Sequence, residues 1–386
     1  MTAIASFRVA GCPALLGDLI ISGYENPNRT AALPTIGDVT NFFPEGSGWT
    51  ITGLSQKVAL ISDDCAVAWA GSKLGAQIAT TQLRALAKQA PLTKAAIESF
   101  LANLDPDITN LGTTLLGFVR DGEDFFQFAL EPDNEFIMPE GNFAYTAGTG
   151  GKHLKAFLQS YAPARAWGDE KAVYPAQRAY EAGLMLGGSL LRTERPLGYT
   201  LREYYGGGYE IAVFNGERFT KDTSTTYILW DAREHDRKGF AHPTRVISHQ
   251  YDRDVLLVRA QELKQATPGH FTFGEVSFDT INPIYSNEPY PKELSPSLFT
   301  EETHWICHCF LVSRGRRIQP FPLIERCYPD PAPAPFTTID TQNGIITAIN
   351  TKAKFWTTIA TALEQWPASE NFPRSPDGNW GLVKDA

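Results

Sequence analysis

Apolar residues in the first half of the chain recur with two different periods, and the period changes several times. Short β-branched runs such as GDLIISGY predict strands, and apolar residues spaced three and four apart in KLGAQIATTQLRALAKQ predict a helix. The predicted strands lie at 2–9, 17–24, 49–56, 57–62 and 65–71, and the predicted helices at 73–89, 92–104, 149–162 and about 174–192. Groups of strands that alternate with pairs of helices predict an α+β fold, a four-layer αββα sandwich of two sheets with helices on both sides.

The pattern becomes almost entirely β-like after residue 221. Runs such as RDVLLVRA and HWICHCFLV are separated by turns that contain proline and glycine, which predicts further strands. A proline-rich connector at 328–336 precedes a predicted terminal helix at 352–366. We therefore predict two domains: residues 1–221 form the αββα domain, and residues 222–386 form a β-rich C-terminal extension.

Composition narrows the classes of partner. The formal net charge of −9 and the pI near 5.4 argue against nucleic acid and against anionic membrane surfaces. No apolar run reaches the ~18 residues needed to cross a bilayer, and the first residues lack the pattern of a secretory signal. The five cysteines are few and odd in number, which favours a reducing compartment. We expect a soluble, cytoplasmic protein without a bound metal or cofactor.

The second residue, Thr2, is a candidate nucleophile. When the residue before it is removed, Thr2 has both a hydroxyl and a free α-amine, and an amine with a pKa of roughly 8 can act as the base for that hydroxyl. A lysine ammonium nearby would lower the pKa of the amine further, and a carboxylate would hold the lysine in place. Asp18 and Lys57, each at a strand end, are the candidates for these two roles.

Four segments carry a resemblance to a known family. Thr2 and Asp18 are sixteen residues apart, and fourteen residues separate Lys57 from the glycine that precedes the first long helix, Gly71. The segments YTAGTGGKHLKAFL and REYYGGGYEIAVF supply two glycine-containing turns further along the chain. Over about residues 2–220 the sequence resembles the proteasome β-subunit-like N-terminal nucleophile (Ntn) hydrolase family.

The resemblance implies a threonine hydrolase that cleaves peptide or other amide bonds through an acyl-enzyme. It implies catalytic roles for Thr2, Asp18 and Lys57, an oxyanion role for the backbone of Gly71, and a homo-oligomer, as in ring-forming members. The residues that it implies as supporting the nucleophile are Thr149, Glu203 and Gly206.

Three positions depart from the family pattern. The interval between Asp18 and Lys57 is much longer than in the family, which places an insertion at 25–56. The family has a serine at the position of Gly206 and an aspartate at that of Glu203. Two alternatives follow: a catalytically silent subunit with a structural or assembly role, and an Ntn amidase that does not act on peptides.

Two other motifs do not predict a binding site. In HWICHCF, strand alternation places Cys307 and Cys309 on one face and His304 and His308 on the other, so the four side chains do not converge on a metal. The glycine-rich YYGGGY lacks the Lys-Ser/Thr ending of a phosphate-binding loop.

Overall fold

The computed structural model describes most of the chain, and it is a mixed α+β structure rich in strands. The described residues are 2–24, 32–39, 42–43, 46, 48–160, 174–194, 199–221, 224–235, 238–267, 270–286, 299, 303–314, 317–327 and 336–357. No helix in these ranges is both long and apolar enough to span a membrane.

The first 221 residues contain twelve strands and six helices in the described ranges. The strands are β1 (Ile4–Val9), β2 (Cys12–Asp18), β3 (Ile20–Tyr24), β4 (Trp49–Leu54), β5 (Val58–Ser62), β6 (Cys65–Ala70), β7 (Thr114–Asp121), β8 (Asp124–Leu130), β9 (Asn134–Ile137), β10 (Phe143–Ala147), β11 (Tyr209–Phe214) and β12 (Phe219–Lys221). The helices are α1 (Lys73–Gln89), α2 (Lys94–Ala102), α3 (Pro106–Asn110), α4 (Gly151–Ser160), α5 (Pro175–Glu194) and α6 (Tyr199–Arg202).

Two antiparallel sheets in this region face each other. One has the order β12-β11-β2-β1-β10-β9 and the other β5-β6-β7-β8. Strand β6 shows why they pack: Ala66 and Ala68 lie in the core with β1 and β2, whereas Val67 and Trp69 lie in a second core with helices α1 and α2. Alternate residues of one strand thus fill two different cores. Helices α4 and α5 contact the first sheet, and α1 and α2 contact the second.

Strand β2 is a correction to the sequence prediction, which began the second strand at residue 17. Gly11 and Pro13 indicate a break in the sequence, but the chain turns tightly there and pairs Val9 with Cys12. Ala10 and Gly11 have φ values of 50° and 80°, the pair of positive values that a two-residue hairpin turn requires. Pro13, one residue into the strand, is tolerated near a strand start. The missed strand matters because it ends at Asp18.

The C-terminal region adds a six-stranded sheet and a hairpin. Its strands are β13 (Ser224–His235), β14 (Lys238–Asp252), β15 (Val255–Thr267), β16 (His270–Ile281), β17 (Trp305–Arg314), β18 (Arg317–Arg326), β19 (Thr337–Gln342) and β20 (Ile345–Thr351). The order is β16-β15-β14-β13-β17-β18, in which only β13 and β17 are parallel, and β19 pairs with β20. Residues 353–357 are helical, but the rest of the predicted terminal helix and most of the proline-rich connector lie outside the described residues.

Helix α5 is enclosed between the first sheet and this C-terminal sheet. A Cβ on Gly183 would lie 2.9 Å from the side chain of Ile211, and one on Gly188 would lie 2.6 Å from the Sγ of Cys307. Glycines on opposite sides of the helix therefore allow close packing against both sheets. Cys309 also faces α5, whereas His308 on the other face of β17 bonds to Trp230 and Glu325, so the predicted alternation is confirmed for Cys307, His308 and Cys309.

Candidate active site

Thr2 lies directly before β1 and is covered by the turn between β10 and α4. The Thr2 carbonyl accepts a hydrogen bond from the N–H of Gly150 at 3.1 Å, and the Thr149 hydroxyl lies 3.5 Å from the same oxygen. Gly148, with a φ of 85°, packs so closely that a Cβ would collide with this carbonyl. The Thr2 side chain is fully buried. The absence of a side chain at Gly148 therefore permits the close contact between this turn and Thr2.

Asp18, the last residue of β2, is fully buried and is the direct partner of Thr2. Its Oδ1 accepts hydrogen bonds from the Thr2 hydroxyl and, at 3.1 Å, from the N–H of Ala3. Its Oδ2 accepts a hydrogen bond from the N–H of Gly206 at 3.0 Å. Burial raises the pKa of the Asp18 carboxyl, while the Lys57 charge and these hydrogen bonds oppose that rise. The three donors compensate for the loss of water around the carboxylate.

Lys57 is buried on the other side of the same strand end. Its Nζ lies 4.0 Å from the centroid of the Trp69 ring. Burial lowers the pKa of the Lys57 ammonium to about 8, and the Asp18 carboxylate partly opposes this. Among the described ion pairs none joins Lys57 to Asp18, so the two interact at longer range than the sequence-based hypothesis assumed.

Strand alternation gives the reason for this separation. Neighbouring residues of a strand point to opposite faces of the sheet. Gly17 is the residue that faces Lys57, because a Cβ on Gly17 would lie 2.7 Å from the Lys57 Cβ. Asp18 therefore points away from the second sheet, toward Thr2 and Gly206.

Of the three residues predicted to support the nucleophile, Thr149 makes its contacts through its side-chain hydroxyl, and Glu203 and Gly206 make theirs mainly through the backbone. Thr149 donates a hydrogen bond from its hydroxyl to the carbonyl of Glu203 at 2.5 Å. The Glu203 carboxylate lies 3.6 Å from Nδ1 of His153, so it points toward α4 and not toward Thr2. Gly206 supports Asp18 through its amide, and its carbonyl accepts hydrogen bonds from the N–H groups of Leu19 and Ile20.

Gly71 occupies the turn before α1, as the sequence predicts. Its φ is 80°, and a Cβ would collide with the carbonyl of Gly112. Ser72 then caps the helix by accepting a hydrogen bond from the N–H of Gly75 at 3.3 Å. The contacts described for Gly71 are with the turn at Gly112, so its oxyanion role stays a prediction.

Sequence reasoning missed two buried carboxylates near the site, Glu194 and Glu210. Oε1 of Glu194 accepts a hydrogen bond from the N–H of Gly207 at 2.9 Å, and its Oε2 has no hydrogen-bond partner in the described part of the chain. Glu210 bonds to the backbone of Lys57. The sequence contains one signal of Glu210: it is the single charged residue in the otherwise apolar strand YEIAVF. A charged side chain at such a position is buried only with a partner.

Burial raises the pKa of the Glu194 carboxyl from 4.5 to about 8. Glu194 is the last residue of α5, where the negative end of the helix dipole also disfavours an anion. Neutral Glu194 therefore holds one side of the Gly206–Gly208 loop, and the Asp18 carboxylate holds the other.

Replacing Gly206 with alanine should release this arrangement. Gly206 has a φ of 125°, and a Cβ there would collide with the carboxyl group of Glu194. We expect Gly206→Ala to lower the free energy of unfolding in urea by about 2–4 kcal/mol, because backbone strain and a steric clash add. Gly216→Ala is the matched control, since Gly216 has a φ of 105° with open space around it. Equal losses in the two variants would contradict the packing described for Gly206.

The raised pKa of Glu194 predicts a specific pH dependence of stability. Folded Glu194 keeps its proton up to about pH 8, whereas unfolded Glu194 loses it near 4.5. Its contribution to stability is therefore complete below pH 4.5 and is lost as pH rises through 8. Glu194→Gln is always neutral, so its free energy of unfolding should rise relative to wild type across this window, by at most about 1.4 kcal/mol per pH unit.

Urea unfolding at several pH values between these limits measures that difference. Glu217→Gln, a change at an exposed glutamate, serves as the control and should show no comparable slope. A constant difference between Glu194→Gln and wild type would show that Glu194 is ionised in the folded protein.

Comparison with known proteins gave no relative from which these roles could be transferred. No protein-family model matches the chain, and no curated protein sequence matches it. The chemical interpretation therefore depends on the geometry around Thr2 and Asp18.

Proposed function

We propose that the chain is an N-terminal threonine hydrolase of the proteasome-like Ntn type that cleaves peptide or other amide bonds. The observation that carries this proposal is the hydrogen bond from the Thr2 hydroxyl to Asp18 at the start of β1. The arrangement of two facing sheets, with α4 and α5 on one side and α1 and α2 on the other, is consistent with a four-layer αββα sandwich.

In the proposed mechanism the Thr2 oxygen attacks the carbonyl carbon of the substrate. The α-amine of Thr2 takes the hydroxyl proton and passes it to the leaving amine as the C–N bond breaks. Water then hydrolyses the acyl ester and restores the hydroxyl. The Lys57 ammonium favours the unprotonated form of the α-amine, and Asp18 orients the hydroxyl. A backbone N–H at Gly71 is the proposed donor to the oxyanion.

This mechanism requires removal of every residue before Thr2. In a chain that keeps residues before Thr2, which we call an extended chain, the Thr2 nitrogen is an amide and has no basic lone pair. Among the described hydrogen bonds, the Thr2 hydroxyl donates to Asp18 and none joins it to Lys57, so Lys57 is not positioned as a substitute base. The proposal therefore links processing to activity.

The experiment compares chains that begin at Thr2 with chains that keep preceding residues. A peptide-like electrophile that reacts with an N-terminal amino alcohol should add once to the mass of the processed wild type and of Thr2→Ser. It should not add to Thr2→Ala or to any extended chain. The rate of hydrolysis by Thr2→Ala should be at most about a thousandth of the wild-type rate, because no other group replaces the nucleophile.

One control variant and one further variant of the site distinguish loss of a catalytic group from a general effect of substitution. Thr146→Ala removes a buried hydroxyl that has no hydrogen-bond partner among the described residues, and it should leave labelling unchanged. Lys57→Met should keep Thr2 in place but slow its acylation about tenfold or more, through the rise in the pKa of the α-amine. Labelling of an extended chain at the wild-type rate would contradict the threonine mechanism.

The same experiment distinguishes the two alternatives. A processed chain that does not react with the electrophile is a catalytically silent subunit. A chain that reacts, but that hydrolyses only small amides and no peptides, is a non-proteolytic Ntn amidase. Both alternatives keep the same fold.

We also propose that copies of the chain associate into a closed homo-oligomer, such as a ring. Two helices pack on the first sheet, α4 and α5, and α5 is enclosed by the C-terminal sheet of its own chain. The contact is therefore assigned to the exposed face of α4. Light scattering should show a multiple of the 42.6 kDa chain mass, and a monomer at micromolar concentration would contradict this proposal.

A further inference from the structure

The backbone of Lys57 is held by a buried carboxylate on the facing sheet. Glu210 is 1% exposed, and its Oε2 accepts hydrogen bonds from the N–H groups of Lys57 at 2.6 Å and Val58 at 3.2 Å. In β11 Glu210 pairs with Gly17, which has no side chain to fill the space between the sheets. The carboxylate can therefore reach across to the start of β5.

Lys221 provides the countercharge for Glu210. Its Nζ donates to Glu210 Oε1 at 2.6 Å, to Gln56 Oε1 at 2.7 Å and to the carbonyl of Val58 at 2.6 Å. All three ammonium hydrogens thus have acceptors, as a buried ion pair requires. The segment from Gln56 to Val58 is consequently bonded on both sides of Lys57.

The C-terminal sheet contributes further hydrogen bonds to Glu210 and to Gln56. The hydroxyl of Tyr251, near the end of β14, donates to Glu210 Oε1 at 3.0 Å. The Gln56 amide donates from Nε2 to the carbonyls of Asp254 at 2.8 Å and Ile281 at 2.6 Å. The Gln56 carbonyl in turn accepts from Trp69 Nε1 at 3.0 Å. Residues of the C-terminal sheet and its turn therefore bond both to Glu210 and to the residue before Lys57.

Glu210 is fully occupied by these contacts. Its two oxygens accept two backbone N–H groups, an ammonium and a phenol hydroxyl, which fills the usual capacity of a carboxylate. A bound cation would have to displace the Lys221 ammonium. The cluster is thus suited to holding neighbouring backbone in place.

We propose that the C-terminal sheet positions Lys57 for the reaction proposed above, with Tyr251 and Glu210 as positioning residues. The inference rests on the proposed function for its catalytic meaning. It gives the C-terminal extension a role at the site: it fixes the strand start from which the Lys57 ammonium extends over Trp69.

The test compares two tyrosine-to-phenylalanine variants of the full chain. Tyr251→Phe removes the hydroxyl bond to Glu210 but keeps the ring near Lys221. Tyr180→Phe is the matched control, because the buried Tyr180 hydroxyl bonds to Thr225 at 2.8 Å and joins α5 to the C-terminal sheet, with no described hydrogen bond to Glu210. Both changes keep the aromatic ring, so both variants should fold.

Hydrogen exchange measured by mass spectrometry on peptides that cover residues 55–60 is the first readout. The amides of Lys57 and Val58 should exchange about fivefold faster in Tyr251→Phe and at the wild-type rate in Tyr180→Phe, since only the former loosens their acceptor. The second readout is kinetic. In processed protein Tyr251→Phe should lower kcat about fivefold with KM unchanged, because Lys57 does not bind the substrate.

The exchange readout tests the positioning of Lys57, and the kinetic readout also tests the proposed function. Unchanged exchange at Lys57 and Val58 in Tyr251→Phe overturns the inference, whatever the activity. Equal acceleration in both variants also overturns it, because any loss of contact with the C-terminal sheet would then have the same effect. If processed wild type does not hydrolyse amides, the proposed function fails, and the exchange readout alone decides whether the C-terminal sheet fixes Lys57.

Discussion

The buried carboxylate of Asp18 is the constraint on which the site depends. A carboxylate without water is stable only when hydrogen-bond donors surround it. Here three donors come from two segments far apart in the chain: the Thr2 hydroxyl and the Ala3 amide from one, and the Gly206 amide from the other. The requirement to satisfy one side chain thus brings together the start of β1, the end of β2 and the glycine loop before β11. The Gly206 carbonyl completes the corner by accepting from the next two amides after Asp18.

Two further buried glutamates extend the same principle outward. Glu194 accepts a hydrogen bond from the amide of Gly207, and Glu210 accepts hydrogen bonds from the amides of Lys57 and Val58. They differ in charge compensation. Glu210 has the Lys221 ammonium beside it, whereas burial without a described cation raises the pKa of Glu194 to about 8. Burial without a countercharge favours the protonated form of a carboxyl group.

The C-terminal sheet contacts residues 1–221 in two places. It covers α5, whose glycines on opposite sides leave room for a sheet on each, and it reaches the Lys57 segment through Tyr251 and Gln56. Its own outer face is covered by the β19–β20 hairpin, which packs with Phe310 and Phe355 in a separate core. The C-terminal sheet therefore shares one hydrophobic core with β1 and β2.

Features that depend on local periodicity and turn chemistry could be predicted from the sequence. Helix α1 begins and ends where its apolar spacing and Ser72 place it, and Cys307 and His308 lie on opposite faces of one strand. The sequence also singled out Thr2 and Asp18, which lie in contact, and Gly206, which bonds to Asp18. Tertiary structure decided the rest. Whether Asp18 or Gly17 faces Lys57 depends on which side of β2 the second sheet packs, and the local pattern does not specify that side. The roles of Glu194, Glu210 and Tyr251 likewise depend on bonds between residues far apart in the chain, which periodicity cannot encode.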